Sequence, residues 1–545
     1  MKLTERSCGV LLHLSSLPGS PYCGDLGQGA REFADFLHSA GQSWWQMLPV
    51  NPLDAYHSPY ASVSSLAGEP IYIDLEALVE DGLLDKSDLD WKPTGPLNRA
   101  AFAAALDFRE LRWKKAFARF HNNDGGETYR SAKTDFLEEN RSWVMPHAIY
   151  STLAEKFGTF EWSHWPDEKI RRGDPLVIEQ FCLENEQRIA YHIFLQLVFD
   201  VQWKKLRKYC KDRGVGLIGD VPIYVGAASA DTWGNSKLFQ LDEFGQMERI
   251  AGVPGDNFNP DGQRWNSPLY RWEAHKEENY AWWLTRIRTC FRRFDAIRLD
   301  HFIGFYNYFS MPAEASPDNL GMWVPGPAND FFDAVLNEFP KTAFIAEDLG
   351  VMNEGVHSLR DKCGFPGMNV FQFNFDFRRN TDPTLEWKTN SVVCTGTHDT
   401  TTLAAWFDEL LEDRKKDEPY WDFDAIMSML APYMPGTDAW RERNTRIDPL
   451  ITQQYEKIEF PKSNSAPVYD FADQSAALWG IIQKVMDSPG NTAIFPMQDI
   501  LGLGKDSRMN FPGHTDDNWI WRLDGRFLTD KLAATLKELT LCFHR

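Results

Sequence analysis

The chain has 545 residues and carries 57 lysines and arginines against 78 aspartates and glutamates, a formal net charge of −21. This length exceeds one ordinary domain, and an apolar share of 43% with 21 tryptophans is typical of a globular enzyme rather than a disordered or fibrous chain. The negative charge repels phosphate backbones, which excludes nucleic acid as an expected partner.

The cysteines and the N-terminus indicate where the protein resides. Eight cysteines are scattered without a Cys-x-x-Cys pair, which argues against zinc sites and disulfide frameworks and predicts reduced thiols. The first apolar run, Gly9–Leu12, ends at His13, too early for the apolar core of a signal peptide. No run approaches the roughly 18 apolar residues that cross a bilayer. We therefore expect a cytoplasmic protein without membrane contact, in an oligomeric state that the sequence leaves open.

Short apolar runs with β-branched residues recur along the chain, each followed by turn or helix signals. This pattern is typical of strands in a parallel sheet covered by helices. Eight such runs are Gly9–His13, Trp44–Val50, Gly216–Pro222, Ala296–Phe302, Ala343–Leu349, Met368–Phe373, Val392–Asp399 and Ala493–Ile500. Because no Gly-x-Gly-x-x-Gly phosphate turn follows any of them, the sequence predicts an α/β protein with a (β/α)8 TIM barrel rather than a doubly wound sheet.

The predicted strands are unevenly spaced, and the long gaps predict inserted subdomains. We expect one catalytic barrel domain over 1–545, with mostly helical insertions at 51–214 after the second strand and 400–490 after the seventh. A further loop and subdomain is expected at 226–290. Helical periodicity, which also follows the first strand at Gly29–Ser39, falls in the two long insertions at Asn98–Asn122, Val144–Glu155, Glu184–Arg213, Thr402–Leu411 and Ala472–Asp487.

Acidic side chains stand at the ends of three predicted strands: Asp300 on the fourth, Glu347 on the fifth and Asp399 on the seventh. Barrel strands converge at their carboxyl ends, so we expect these acids to meet in one pocket. Arg298 precedes Asp300 by two residues and shares its face of the strand, which should lower the pKa of that carboxylate and keep it ionised. Singly, each acid fits a helix cap or turn, and together they fit either an ion-pair network or a catalytic cluster.

One ionised and one protonated carboxyl group suit cleavage of a glycosidic bond with retention of configuration. The ionised carboxylate attacks the sugar, and the protonated one assists the leaving oxygen. Asp300 and Glu347 fit these roles, while Asp399, with His398 beside it, would bind sugar hydroxyls and favour the distorted transition state. Neither a Gly-x-Ser-x-Gly nor a His-Glu-x-x-His pattern occurs in the sequence to favour a serine hydrolase or a zinc protease.

Several segments spread over the chain resemble one enzyme family. They are Gly9–His13 with Ser16–Gly19, Ser58–Tyr60 leading to Ile73–Leu75, Gly219–Val225, Arg298–Phe302, Ala346–Gly350, Thr397–Asp399 and Asn518–Arg522. Together they resemble the amylomaltases, the 4-α-glucanotransferases of glycoside hydrolase family 77, which are relatives of the α-amylases. The match runs from near the first residue to near the last.

The resemblance implies Asp300 as nucleophile, Glu347 as acid/base and Asp399 as transition-state stabiliser. It implies a barrel with inserted subdomains, no separate C-terminal β-domain, and no cofactor or metal. The implied partners are α-1,4-glucans, such as maltodextrins and fragments of starch or glycogen, as both donor and acceptor. We expect the sugar to be bound by Tyr60, as a stacking platform, and by Asp220, Arg298, His398, Ser58, Trp265 and Asn510.

One region departs from the family pattern. The resemblance places the loop Gly252–Asp256 over the acceptor side of the cleft, within the 226–290 segment, and there Gly255 stands where the family has proline. Asn266 and Ser267 likewise replace the family's Gly-Asn before Pro268. Because glycine reaches conformations that proline forbids, these changes bear on acceptor preference and loop mobility rather than on the chemistry.

Three functions are compatible with these residues: an α-glucan transferase, an α-1,4-glucan hydrolase, and a catalytically inactive glucan-binding barrel. Transfer and hydrolysis share a glycosyl-enzyme intermediate and differ in whether a sugar hydroxyl or water attacks it. The three intact acids argue against an inactive barrel, and the resemblance favours transfer. Aromatic faces that exclude water would support transfer, and those expected over the cleft are Tyr56, Tyr60, Phe258, Trp265, Tyr270 and Trp272.

Overall fold

The computed structural model describes residues 2–92, 95–255, 262–314, 321–350, 352–374, 382–414, 423–434, 439, 442–443 and 471–545. Strands are numbered here in chain order. Eight of them form one parallel sheet: β1 Ser7–Leu11, β2 Trp44–Gln46, β3 Gly216–Val221, β6 Ala296–Leu299, β9 Phe344–Ala346, β10 Gly367–Val370, β11 Ser391–Cys394 and β12 Thr492–Pro496.

The parallel sheet closes into a barrel. Its strand order is β10-β11-β12-β1-β2-β3-β6-β9, so the first strand along the chain pairs with the last. The end strands β9 and β10 meet through a hydrogen bond from the Ala346 N–H to the Pro366 carbonyl, at 2.9 Å. Each of the eight strands overlaps its predicted run, which confirms the predicted (β/α)8 TIM barrel.

The observed strands end earlier than the predicted runs. The run predicted to reach Asp399, for example, leaves the ladder after Cys394. The strands themselves are buried on both faces, which is why they read as continuous apolar runs rather than alternating ones. The residues beyond them turn away from the sheet at its carboxyl edge, and that edge carries the polar groups described below.

Helices surround the barrel and fill most of the long connections. Those of six residues or more in the described residues are Gln28–Ser39, Leu75–Glu80, Phe102–His121, Glu127–Phe157, Pro175–Glu184, Glu186–Asp212, Trp272–Glu277, Ala281–Arg293, Ala328–Glu338, Glu354–Cys363, Leu403–Arg414, Phe423–Leu430, Phe471–Asp487 and Asp530–Cys542. Shorter α-helices are Glu168–Arg171, Ala230–Gly234, Ile303–Tyr306, Phe371–Asn374 and Met497–Ile500. None of the helices described is long and apolar enough to span a membrane.

One helix between β2 and β3 is much longer than its prediction. The predicted segment Val144–Glu155 is the last part of a 31-residue helix, Glu127–Phe157. Its first half has only scattered apolar residues, and Tyr129 there is buried and hydrogen-bonded to Gln202 of the helix Glu186–Asp212. Because tertiary packing rather than local periodicity stabilises this half, the sequence pattern underestimated its length.

A second, antiparallel sheet was missed by the prediction of mostly helical insertions. Its strands are β4 Arg249–Val253, β5 Gln263–Pro268, β7 Asn307–Pro312 and β8 Met322–Pro325, in the order β5-β4-β7-β8. Two of them lie in the predicted 226–290 segment, and the other two follow β6. Through the short helix Ile303–Tyr306, β7 follows directly from the end of β6, so this sheet lies beside the carboxyl edge of the barrel.

The predicted 400–490 insertion lies in part outside the described residues. The predicted helices Thr402–Leu411 and Ala472–Asp487 correspond to Leu403–Arg414 and Phe471–Asp487. Between them, the Tyr433 hydroxyl donates to Asp487 at 2.7 Å. This contact anchors the described part of the insertion to the helix that leads into β12.

Candidate active site

A buried arginine joins two carboxylates at the ends of neighbouring strands. The parallel register pairs Asp220 of β3 with Arg298 of β6. Arg298 Nη1 donates to both oxygens of Asp220, at 2.8 and 2.9 Å, and to Asp300 Oδ1 at 2.8 Å. The side chains of Asp220 and Arg298 are buried, whereas that of Asp300 is 25% exposed. Arg298 therefore holds Asp300 at the open side of a buried ion pair.

The pKa of Asp300 differs in direction from the sequence-based expectation. Burial raises it to about 6, even though Arg298 opposes the shift, and the nearby carboxylates of Asp220 and Asp399 raise it further. Arg298 thus lowers this pKa as predicted, but the predicted net decrease is wrong, because burial outweighs the guanidinium. A guanidinium shared with a second carboxylate does not offset the loss of water around Asp300. At neutral pH the carboxylate still ionises.

Glu347 follows β9 directly and is held by two backbone donors. Its Oε2 accepts from the His301 N–H at 2.6 Å, and its Oε1 accepts from the Leu349 N–H at 2.9 Å. His301, the residue after Asp300, has a φ of +48°, in the left-handed region, and its N–H points toward Glu347. Burial raises the pKa of Glu347 to about 7. This carboxyl group therefore keeps a proton near neutral pH, when an ordinary glutamate does not.

Asp399 lies in the loop after β11 and differs from the other two acids. Its Oδ1 accepts from the Asn510 amide at 2.7 Å, and its Oδ2 lies 3.2 Å from His398 Nε2. Burial favours the neutral form, but His398 and Asn510 outweigh it, so the pKa of Asp399 falls below its ordinary range. Asp399 in turn raises the pKa of His398. The three acids thus present one permanently ionised carboxylate and two whose pKa values lie near 6 and 7.

A second loop fixes Asp399 from 111 residues further along the chain. The Asn510 N–H donates to the His398 carbonyl at 3.1 Å, and Arg508 donates to the backbone carbonyls of Asp399 and Asn510, at 2.5 and 2.7 Å. Asn510, which was predicted to contact sugar, donates its amide N–H to Asp399 in the structure. The role of Arg508 was missed, since a basic residue in a loop gives no local sign of its partner.

Tyr60 connects three loops at the carboxyl edge. Its hydroxyl donates to Asp220 at 2.7 Å, and its ring stacks on His398, with centroids 5.1 Å apart and an angle of 15°. Trp519 lies behind both rings, with its centroid 5.6 Å from that of Tyr60. Ser58, also predicted to bind sugar, accepts from the Tyr60 N–H at 3.2 Å. The structure therefore places Tyr60 within the cluster of ionisable groups and Ser58 in its support.

Trp265 of β5 lies next to the acid cluster. Its ring meets that of His301 edge-on, with centroids 4.8 Å apart, and it is only partly buried. The second sheet thus contributes an aromatic face beside the residue that follows Asp300. Of the other aromatic residues predicted over the cleft, Tyr270 is buried and Trp272 packs on it, whereas Tyr56 is exposed. Phe258 lies outside the described residues.

The fold and the placement of these ionisable groups define the class of protein. A closed parallel barrel with its ionisable side chains gathered at the carboxyl ends of the strands is the architecture of a (β/α)8-barrel enzyme. In the part of the chain that the structure describes, no group of His, Cys, Asp and Glu side chains is arranged to hold a metal ion.

Comparisons with known proteins identify the family within this class. The family model for glycoside hydrolase family 77, described as 4-alpha-glucanotransferase, matches residues 12–529. A 4-alpha-glucanotransferase of Streptococcus pneumoniae is 34% identical over 545 residues, covering 100% of this chain and 98% of the relative. One from Aquifex aeolicus is 35% identical over 521 residues, covering 95% of each. The chain belongs to glycoside hydrolase family 77, which confirms the resemblance seen in the sequence.

Solved structures agree with the fold. The structure of an amylomaltase from Streptococcus agalactiae in complex with acarbose aligns with a TM-score of 0.85 at 30% identity, over 99% of this chain and 100% of that one. An amylomaltase from Corynebacterium glutamicum aligns with a TM-score of 0.71 at 18% identity, over 98% of this chain and 75% of that one. The second match supports the fold alone.

Proposed function

We propose that the protein is a 4-α-glucanotransferase that moves α-1,4-glucan segments between maltodextrins by a retaining double displacement. The observation that carries the mechanism is the pair of carboxyl groups of the partly exposed Asp300 and the buried Glu347, whose pKa values are raised to about 6 and about 7. Between these values one group is ionised while the other holds a proton. This is the division of labour that retaining glycoside cleavage requires.

In the first step, an ionised oxygen of Asp300 attacks the anomeric carbon of the donor. The bond from that carbon to the glycosidic oxygen breaks, and the departing oxygen takes the proton of Glu347. A glucosyl ester of Asp300 remains, and Glu347 becomes a carboxylate. The N–H groups of His301 and Leu349 are placed to stabilise that charge.

In the second step, a sugar hydroxyl of the acceptor attacks the anomeric carbon of the glucosyl ester from the side that the first product left, and the bond from that carbon to the Asp300 oxygen breaks. Glu347 takes the hydroxyl proton, and the Asp300 carboxylate is released. Asp399 and His398 would bind the ring that carries positive charge in both transition states. Tyr60 would stack on that ring, and Trp265 would cover the acceptor side and limit the access of water.

Maltotriose separates transfer from hydrolysis. The wild-type protein should produce glucose and a ladder of longer maltodextrins with little gain in total reducing ends. Asp300→Ala and Glu347→Gln should abolish the ladder but retain maltodextrin binding, while Asp330→Ala, at an exposed aspartate, serves as the matched control. A slow fluorinated donor should leave one glycosyl unit on the peptide that contains Asp300. A steady rise in reducing ends without longer products would contradict transfer.

We also propose the domain division that the sequence predicts, with one barrel over 1–545 and insertions at 51–214, 226–290 and 400–490. The helices between β2 and β3 and those between β11 and β12 support two of these boundaries. Limited proteolysis should cut first at the edges of the insertions; first cuts within barrel strands would contradict the division. We also propose glycogen or starch fragments as substrates, on the basis of the family. Glycogen should then accept segments from labelled maltotriose. The proposed cytoplasmic location rests on the eight free cysteines, and thiol counting in denaturant should find all eight.

A further inference from the structure

One junction of the barrel differs from the others. Parallel ladders join neighbouring strands from β10 through β1 to β9, whereas β9 and β10 do not form a ladder in the described chain. One backbone hydrogen bond across this seam runs from Ala346 to Pro366. The next position is filled by a side chain, because the Met368 N–H donates to Asp348 Oδ1 at 2.7 Å. A carboxylate thus replaces a backbone carbonyl at the point where the barrel closes.

The second oxygen of Asp348 is also occupied. Asp348 Oδ2 accepts from the guanidinium of Arg360, in the helix Glu354–Cys363 that connects the two strands. The side chains are 4% and 9% exposed, so this is a buried, fully paired ion pair. A Cβ on Gly367 would collide with both groups, so glycine is required for their approach. The carboxylate of Asp348, close after β9, therefore contacts both β10 and the helix that connects the two strands.

Along the chain, Asp348 stands between Glu347 and Leu349, whose N–H is one of the two donors to the Glu347 carboxyl group. On the β6 side, the Glu347 backbone is fixed by hydrogen bonds with Leu299 and Phe302, at 3.0 and 2.9 Å. On the β10 side, the next fixed point is the side chain of Asp348. The Leu349 N–H, which donates to Glu347 Oε1, follows immediately. Loss of the Asp348 contacts would free this N–H and leave the Glu347 carboxyl held from one side.

We infer that Asp348 is a positioning residue for Glu347: by closing the β9–β10 seam it fixes the Leu349 donor and the direction of the Glu347 carboxyl group. The inference rests on the proposed role of Glu347 as acid/base. Asp348 itself is buried behind the strand edge and contacts Met368 and Arg360. Its loss should therefore weaken proton transfer to the leaving oxygen more than it weakens nucleophilic attack by Asp300.

The test compares donors that need a proton with donors that do not. Asp348→Asn keeps the shape of the side chain and an oxygen for the Met368 N–H but removes the charge opposite Arg360. With maltotriose as donor, kcat/KM should fall about 100-fold, whereas with α-maltosyl fluoride, whose leaving group needs little protonation, it should fall less than about threefold. In a ping-pong reaction, kcat/KM for the donor reports formation of the glycosyl-enzyme intermediate. A general distortion of the barrel would therefore lower kcat/KM equally for maltotriose and for α-maltosyl fluoride.

Two further variants make the outcome decisive. Asp361→Asn removes the exposed second partner of Arg360 and should leave both donors unaffected. Glu347→Gln, measured alongside, should show the same selective loss as Asp348→Asn. If Glu347→Gln is selective but Asp348→Asn loses activity equally with both donors, or with neither, the inference is wrong and the proposed mechanism stands. If Glu347→Gln itself shows no selectivity, both the acid/base role of Glu347 and the positioning role of Asp348 are wrong.

The inference stays testable if Asp348→Asn does not fold. Arg360→Lys keeps the positive charge but not the planar guanidinium that reaches Asp348. It should show the same selectivity to a smaller extent, about tenfold with maltotriose and no measurable loss with the fluoride. An equal loss with both donors would overturn the role of this ion pair.

Discussion

The raised pKa values of two carboxyl groups predict a narrow pH profile. Below about pH 6, Asp300 takes up a proton and no longer attacks; above about pH 7, Glu347 loses the proton that the leaving oxygen needs. With these two values, the fraction of enzyme in the active form is about 0.6 at pH 6.5 and about 0.09 at both pH 5 and pH 8. We therefore expect kcat/KM for maltotriose to be about sevenfold lower at pH 5 and at pH 8 than at pH 6.5.

The assay is the initial rate of glucose release at maltotriose concentrations well below KM, from pH 4.5 to 8.5 at constant ionic strength. Samples held at each pH and returned to pH 6.5 should regain full activity, which separates titration from denaturation. With α-maltosyl fluoride the alkaline decline should largely disappear, because fluoride leaves without the proton of Glu347. A maltotriose profile that stays flat from pH 6.5 to 8.5, or an alkaline decline that persists with the fluoride, would refute the assignment of that limb to Glu347.

Further substitutions test the residues that support the site and the fold. Asn510→Ala removes the amide that donates to Asp399, and kcat should fall about tenfold with little change in the temperature of unfolding, since a hydrogen bond to a charged group is lost. Tyr60→Phe keeps the stacked ring but loses its hydroxyl bond, so kcat/KM should fall about fivefold, whereas Tyr60→Ala should lose far more. Arg109→Ala strips Asp25 of its buried partner, and denaturant titration should show a loss of about 3–5 kcal/mol in unfolding free energy, part of which Asp25→Asn in the same chain restores.

Each of these expectations has a clear contrary result. Wild-type kcat in Asn510→Ala would show that its amide does not tune Asp399. Equal kinetics for Tyr60→Phe and Tyr60→Ala would show that the ring is not a platform. A loss in Arg109→Ala that the second substitution leaves unchanged would point to a packing defect rather than an unpaired charge.

The barrel strands could be predicted because they are buried on both faces. A strand such as β3 has no polar side chain except Asp220 near its carboxyl end, and such runs stand out in the sequence. The second sheet could not be predicted in this way. Its edge strand β8 has four residues, among them the exposed Met322 and Trp323, and is too short for a continuous or an alternating pattern to be recognised.

The candidate site shows the same division. The predicted strand ends located Asp300, Glu347 and Asp399, because acids at the carboxyl ends of parallel strands must face one edge. The predicted direction of the pKa shift of Asp300 was wrong, because the shift depends on burial and on charges from other strands. Asn510 was expected to contact sugar, but nothing in its local sequence shows that its amide reaches Asp399 across 111 residues.

The sequence by itself determined the number and order of the barrel strands, the edge at which the acids gather, and the family, because each depends on residue types at local spacing. The tertiary structure decided which acid keeps a proton, how the seam beside Glu347 closes, and which side chains hold the acids in place. These properties arise from desolvation and from contacts between residues far apart in the chain, which local spacing does not encode.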